Sequence, residues 1–202
     1  ASTAKKRLDL ATPGISYKPL GDWSRFAPHI VHTPAGDKVS TAFTRLTGRS
    51  TIMVPGMTPT TVEADLPAAA ANAGYWAELA GGGQVTEEVF DSNVAHLKEL
   101  LKEGASVEFN AMFMDRYLWN LQFGGKRIVS KARVSGAPID GVVISAGIPE
   151  LDEAQKLIEQ LHSDGFPYVV FKPGTVSQIR QVLQIAKQTA GTTIIMEVEG
   201  GS

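Results

Sequence analysis

Residues 141 to 163 read Gly-Val-Val-Ile-Ser-Ala-Gly-Ile-Pro-Glu-Leu-Asp-Glu-Ala-Gln-Lys-Leu-Ile-Glu-Gln-Leu-His-Ser. The opening five are a short, almost continuous apolar run with β-branched side chains, the pattern of a strand buried on both faces. Gly147 and Pro149 end that run, and from Glu150 the period changes. Leu151, Ala154, Leu157, Ile158 and Leu161 recur at helical spacing, so a helix over 150 to 163 has one apolar face to lay on a sheet. A two-sided strand handing over to a one-sided helix is a βα unit.

The same grammar extends in both directions. Predicted strands are Thr51 to Pro55, Trp76 to Ala80, Ser106 to Asn110, Gly141 to Ser145, Tyr168 to Lys172 and Thr193 to Val198. Between them, helices are expected at Val62 to Ala73, Thr86 to Glu103, Gly124 to Ser135, Glu150 to Ser163 and Val176 to Ala190. Strand starts lie 25 to 35 residues apart, about one βα unit each. Two architectures compete, an open doubly wound sheet and an eight-stranded (β/α)8 barrel. No G-x-G-x-x-G follows the first strand, which weakens the dinucleotide-binding open sheet and favours the TIM barrel, with about six of its eight units present.

The first fifty residues have a different texture. Pro13, Gly14, Pro19, Gly21 and Pro28 interrupt any regular pattern. His29 to Thr33 and Val39 to Phe43 are short β-prone runs around Pro34-Ala35-Gly36-Asp37, which suggests a hairpin. The expected division is therefore a lead-in arm over 1–50, acting as a plug or cap, and a barrel over 51–202. With 202 residues the chain is large enough for one sizeable core.

Composition excludes several classes. Hydrophobic residues make up 43% and charged residues 20%, an ordinary globular balance. A net charge of -2 with scattered Lys and Arg offers no field for nucleic acid. With no Cys there is no disulfide, thiolate metal site or Cys nucleophile, which fits a reducing compartment and makes the cytoplasm the expected location. The longest apolar runs fall far short of the roughly 20 residues that span a bilayer, and no apolar segment follows Lys5, Lys6 and Arg7 to make a signal peptide. Neither a membrane nor nucleic acid is an expected partner, no metal site is expected, and the lack of an initiator Met suggests a fragment.

In a barrel, chemistry sits on the loops leaving the C-terminal strand ends. Those loops are Pro55 to Thr61, Gly81 to Gln84, Asn110 to Met112, Ser145 to Pro149, Lys172 to Thr175 and Glu199 to Gly201. Small residues dominate them, and glycine lets a flat ligand approach the backbone, although Gly and Pro also end strands for purely structural reasons. Lys172 is the cation directly at a strand end. It suits a flavin N1 to C2=O anion or a phosphate, a Schiff base is the competing enzyme reading, and a lysine reaching to solvent is the plain one. Asn110 can donate and accept, matching the edge of a flavin pyrimidine ring, or it can simply cap a turn. His29 and His32 fall in the lead-in and His96 and His162 on helices, where structural or solvated roles are expected. Trp23, Trp76, Trp119 and the methionines read as packing.

Taken in order, five strings are more specific: Thr-Arg-Leu-Thr-Gly-Arg (44 to 49), Met-Val-Pro-Gly-Met-Thr-Pro-Thr-Thr-Val (53 to 62), Ala-Glu-Leu-Ala-Gly-Gly-Gly (77 to 83), Ser-Ala-Gly-Ile-Pro (145 to 149) and Phe-Lys-Pro-Gly-Thr (171 to 175). Together they resemble the enoyl reductase domain of type I fatty acid synthases, from about Phe26 onward. The resemblance implies an FMN-containing TIM barrel, similar to nitronate monooxygenases, that uses NADPH to reduce the trans-2 double bond of an enoyl chain on acyl carrier protein. It places Gly56, Met57 and Thr58 along the isoalloxazine edge, Asn110 and Lys172 at its polar end, Ser145 and Ala146 nearby, and Glu199 and Gly200 at the start of the next rim motif. Partners implied are the acyl carrier protein and the other domains of an oligomeric synthase. The family pattern continues into Gly-Gly-His, so the proton-donor histidine and two further βα units are expected beyond Ser202. The chain by itself is then expected to be inactive, with no catalytic residue of its own. The rivals are a nitronate-oxidising flavoprotein and a non-catalytic structural segment of the synthase.

Overall fold

A computed structural model describes residues 26 to 189 and 191 to 200. Pro13, Gly14, Pro19 and Gly21 of the lead-in, Ala190 at the expected end of the last helix, Gly201 and Ser202 lie outside the described residues.

The hairpin is present: β1 (His29–Thr33) and β2 (Gly36–Ser40) pair antiparallel. Its second strand lies three residues earlier than expected, because Gly36, with φ +111°, turns the chain directly after Pro34 and Ala35. Residues expected to finish that strand instead enter a short helix, α1 (Ala42–Thr47). The reason is local: Thr41 and Thr44 form a reciprocal capping box, each hydroxyl accepting from the other's backbone N–H at 3.1 and 2.8 Å.

The remaining strands build one sheet. They are β3 (Met53–Val54), β4 (Trp76–Ala80), β5 (Val107–Met112), β6 (Ile139–Ser145), β7 (Tyr168–Phe171) and β8 (Ile194–Met196). All neighbours are parallel, and the order across the sheet is the order along the chain. Parallel crossovers are right-handed, so an unbroken sequential order sends every connecting helix to the same face. A doubly wound sheet reverses its order and has helices on both faces; this one does neither. Among the described residues the result is a curled parallel half-barrel of six strands, coarser than the expected eight-unit closure.

The helices are α2 (Asp65–Asn72), α3 (Glu87–Leu100), α4 (Arg116–Gln122), α5 (Ile128–Val134), α6 (Leu151–Ser163) and α7 (Val176–Gln188). Leu79, Phe109, Val142, Ile144, Val169 and Phe171 point outward from the strands into the main core, where Ala154, Leu157, Ile158 and Leu161 of α6 meet them. The inward face is different: Trp76, Val143 and Val170 form a small apolar cluster, joined by Phe43, Met53, Tyr168 and Ile195. Alternation along each strand thus feeds two cores, one on each face.

One helix expected over Gly124 to Ser135 is shorter and preceded by another. Helix α4 arises because Asp115 caps it, accepting from the Leu118 N–H at 3.0 Å. At Gly124 an added Cβ would lie 2.9 Å from the Asn120 Cα, so the chain turns tightly there before α5 begins. No described helix is long and apolar enough to cross a membrane.

Candidate functional site

At the C-terminal end of the half-barrel the loops surround a cleft of about 280 Å³. Gly56 and Thr58 from the β3 loop, Asn110 from β5, Ser145 and Ala146 from β6, Lys172 after β7, and Glu199 all line it. Seven residues selected from the sequence therefore meet at one place. Met57 and Gly200 do not border the cleft: Met57 is exposed, and its N–H donates to the Thr61 hydroxyl at 2.8 Å. Ala80, Gly82 and Met112 complete the lining.

The side chains are held from below by Glu78, a fully buried residue of β4. Its Oε2 accepts from the Gly56 N–H at 2.8 Å and from Asn110 Nδ2 at 2.7 Å, and its Oε1 accepts from Trp76 Nε1 at 3.1 Å. One carboxylate thereby ties the β3 loop, β4 and β5 together. Asn110 Oδ1 accepts from the Ser145 hydroxyl at 2.7 Å, which carries the network on to β6. Asn110 thus makes one bond through each end of its amide, leaving one N–H and one lone pair free of these contacts.

Lys172 is nearly buried, with its Nζ 3.1 Å from Glu199 Oε1 and 3.5 Å from Glu197 Oε1. Burial alone would lower its pKa, but Glu197, Glu199 and Glu78 outweigh that and raise it above the ordinary lysine value. A lysine held as ammonium lacks the free electron pair that a Schiff base requires. Glu197 shows the opposite balance. Burial first, then Glu78, raises its carboxyl from 4.5 to about 7 against the pull of Lys172.

The glycines of the rim serve packing between loops. A Cβ at Gly56 would sit 2.5 Å from Asn110 Cβ, and one at Gly82 would sit 2.7 Å from Thr58 Oγ1. A Cβ at Gly81 would strike the Asn110 carbonyl oxygen. At these three positions the missing Cβ lets neighbouring loops and Asn110 close up. The Thr58–Pro59 peptide is cis.

At the opposite, N-terminal end a second charged group closes the interior. Arg49 pairs with Glu108 and with Asp140, donates to Ser106 Oγ at 2.9 Å, and lies 5.1 Å from the Trp76 ring centroid. Burial pushes the Glu108 carboxyl well above its usual range even beside the guanidinium. The histidines stay away from the cleft; His32 pairs with Asp37 on the hairpin, and His96 is 3.9 Å from Asp65 on the outer surface. Among the described residues no group of three His, Cys, Asp or Glu is placed to hold a metal.

The sequence reading missed Glu78 and Glu197, and gave no role to Arg49 within its 44 to 49 string. A signal for Glu78 exists: it is a lone charge at the centre of the apolar strand Trp-Ala-Glu-Leu-Ala. Such a residue is stable only when donors satisfy it.

No protein-family model matches the chain. The chain is homologous to segments of fungal fatty acid synthase beta subunits. It is 34% identical over 199 residues to the beta subunit pigK of Monascus ruber, a match covering 96% of this chain and 10% of that protein. Against the beta subunit of Saccharomyces cerevisiae, identity is 33% over 196 residues, covering 96% and 9%. Fatty acid synthase 2 of Mycosarcoma maydis is 39% identical over 196 residues, covering 96% and 5%. The chain thus spans a tenth or less of the length of these relatives. Among solved structures, a FabK mutant from Thermotoga maritima superposes with a TM-score of 0.54 at 18% identity, covering 73% of this chain and 43% of that one. At that identity the likeness concerns the fold.

Proposed function

We propose that this chain contributes the flavin-facing side of an enoyl reductase site in a fatty acid synthase, where an enoyl chain on acyl carrier protein is reduced with NADPH through FMN. The observation that carries this reading is the meeting of Gly56, Thr58, Asn110, Ser145 and Lys172 in one cleft at the C-terminal strand ends. Homology to the synthase beta subunits over nearly the whole chain supports the same pathway.

The residues present fit the polar edge of a flavin ring. Asn110 retains a donor and an acceptor, and Lys172 brings a cation to the same wall. At about 280 Å³ the cleft falls just below the roughly 300 to 1,000 Å³ of ordinary ligand sites, which suits part of a planar ring system. Bound FMN would supply hydride relay between the nicotinamide and the alkene. Lys172 would hold positive charge where the ring accumulates electron density, and Glu78 would keep Asn110 aimed through its short hydrogen bond. Ser145, whose hydroxyl also donates to the Ala111 carbonyl at 2.9 Å, would fix the other end of that amide. No histidine borders the cleft among the described residues, so the proton for the α-carbon is proposed to come from elsewhere in the synthase.

The test uses the natural polypeptide that carries this chain. Purified protein should retain FMN and oxidise NADPH when given a crotonyl thioester, and Lys172→Met together with Asn110→Ala should lose the flavin while circular dichroism stays unchanged. Wild-type protein without flavin, or one that turns over alkyl nitronates with oxygen and no NADPH, would defeat the proposal.

A further inference from the structure

The floor of the cleft holds more acid than its cation can balance. Around the Lys172 ammonium lie Glu199 at 3.1 Å and Glu197 at 3.5 Å, and Glu78 also acts on it. With every acid ionised the cluster carries one positive and three negative charges, an unfavourable net in a largely buried place.

The second observation is an orphaned oxygen. Glu197 Oε2 is buried with no hydrogen-bond partner among the described residues. The carboxyl group that acts most strongly on Glu197 is Glu78, whose oxygens already accept from Trp76, Gly56 and Asn110. Those three donors hold Glu78 as an acceptor, and two facing acceptors repel unless one of them carries a proton. A proton on Glu197 turns the orphan into a donor toward Glu78.

We infer that Glu78 and Glu197 hold one proton between them, seated on Glu197, and that this proton leaves Lys172 free to pair with an anionic group in the cleft. With Glu197 neutral, the near carboxylate opposing Lys172 is Glu199, which is 46% exposed and can turn toward water. Loss of the proton sets a second carboxylate beside Nζ, in direct competition with any bound anion. The groups facing the pair are Glu78 and the Trp76 indole from β4, Lys172 after β7, and Glu199 beyond β8. Arg49, Glu108, Asp140 and Tyr168 form a separate group whose members act chiefly on one another. Burial and Glu78 raise the Glu197 carboxyl to about 7, so the proton exchanges near neutral pH. Anion binding at Lys172 and proton uptake at Glu197 are therefore linked, and each favours the other.

The choice of FMN as the probe anion rests on the function proposed above, whereas the shared proton does not. Reduced FMN, whose ring carries the negative charge, is titrated anaerobically into the natural polypeptide, wild type and Glu197→Gln, between about pH 6 and about pH 9. The wild-type dissociation constant, divided by that of the Gln variant at each pH to remove the probe's own titration, should be level up to about pH 7 and then rise about tenfold per pH unit. Parallel curves for the two proteins overturn the coupling. If FMN does not bind at any pH, the flavin reading falls, and the pair is decided by a second measurement on ligand-free wild-type protein. Infrared difference spectra between about pH 6 and about pH 8 should show one protonated carboxyl band disappearing. Its absence overturns the shared proton whatever the cleft binds, and its loss in Glu197→Gln assigns it.

Discussion

A methyl group added at position 56 would have to displace the Asn110 side chain, since its Cβ would lie 2.5 Å from Asn110 Cβ and 2.6 Å from Cγ. Gly56→Ala should therefore break the bonds of Asn110 to Glu78 and Ser145, at a cost of about 1 to 3 kcal/mol. Denaturant unfolding reads the cost and flavin content reads the loss of the site; an unchanged value for both would show that Asn110 is not held by this packing. At Lys172, borohydride with a small aldehyde should trap no adduct, because the amine is held protonated; a labelled Lys172 peptide by mass spectrometry would reverse that assignment. Glu197 gives a stability prediction of definite sign. Its folded carboxyl binds a proton between 4.5 and about 7 while the unfolded one has lost it, so stability falls as pH rises through that window. That fall should be missing from the difference curve of Glu197→Gln. A wild-type stability that rose between these values relative to the variant would contradict the assignment. Much of this site was legible beforehand because strand ends announce themselves: Ser145 and Lys172 each terminate an apolar run, whereas Asn110, expected to end its strand, lies inside β5, which continues to Met112. Glu78 and Glu197 were not, since strand periodicity shows which face a residue takes but not which carboxylates from distant strands meet across an interior.

Helix α1 and the segment after it act as one element, a stopper at the N-terminal end of the half-barrel. Phe43 meets Trp76 edge to face at 5.4 Å, and Arg49 pairs with Glu108 and Asp140. Removing the guanidinium strands the Glu108 carboxyl in the interior, so Arg49→Met should cost about 3 to 5 kcal/mol in urea unfolding. The double change Arg49→Met with Glu108→Leu should recover most of the loss; if it does not, the pair is not the reason for the stability. This element escaped the sequence reading because Ala42 to Thr47 continues a β-prone run, and only the Thr41 and Thr44 capping pair marks the helix. Helix α4 escaped because it is only seven residues long, too short to repeat the apolar period, and Asp115 carries the signal. By contrast α6 and β4 were read almost residue for residue, where long periodicity or a bounded apolar run left one interpretation.

Across the whole molecule the strand pairing is uneven. Strands β5 and β6 are matched from Val107 to Met112, while β3 meets β4 at Met53 and Val54 alone, and β8 meets β7 from Ile194 to Met196. Native-state hydrogen exchange should accordingly be slowest in β5 and β6 and fastest in β3 and β8. Amides of β8 as slow as those of β6 would mean that something other than the pairing described here covers that strand. The sequential parallel order was foreseeable from the βα rhythm, whereas the curvature that brings Glu197 over Glu78 depends on long-range packing. That convergence bears on how such a cleft can diversify over time. Because a single carboxylate beneath the loops sets their positions, replacements at Thr58 or Met112 can reshape what enters without disturbing the frame. A change at Glu78, by contrast, would have to be matched at Gly56, Trp76 and Asn110 together, so novelty should accumulate at the mouth of the cleft while its foundation stays fixed.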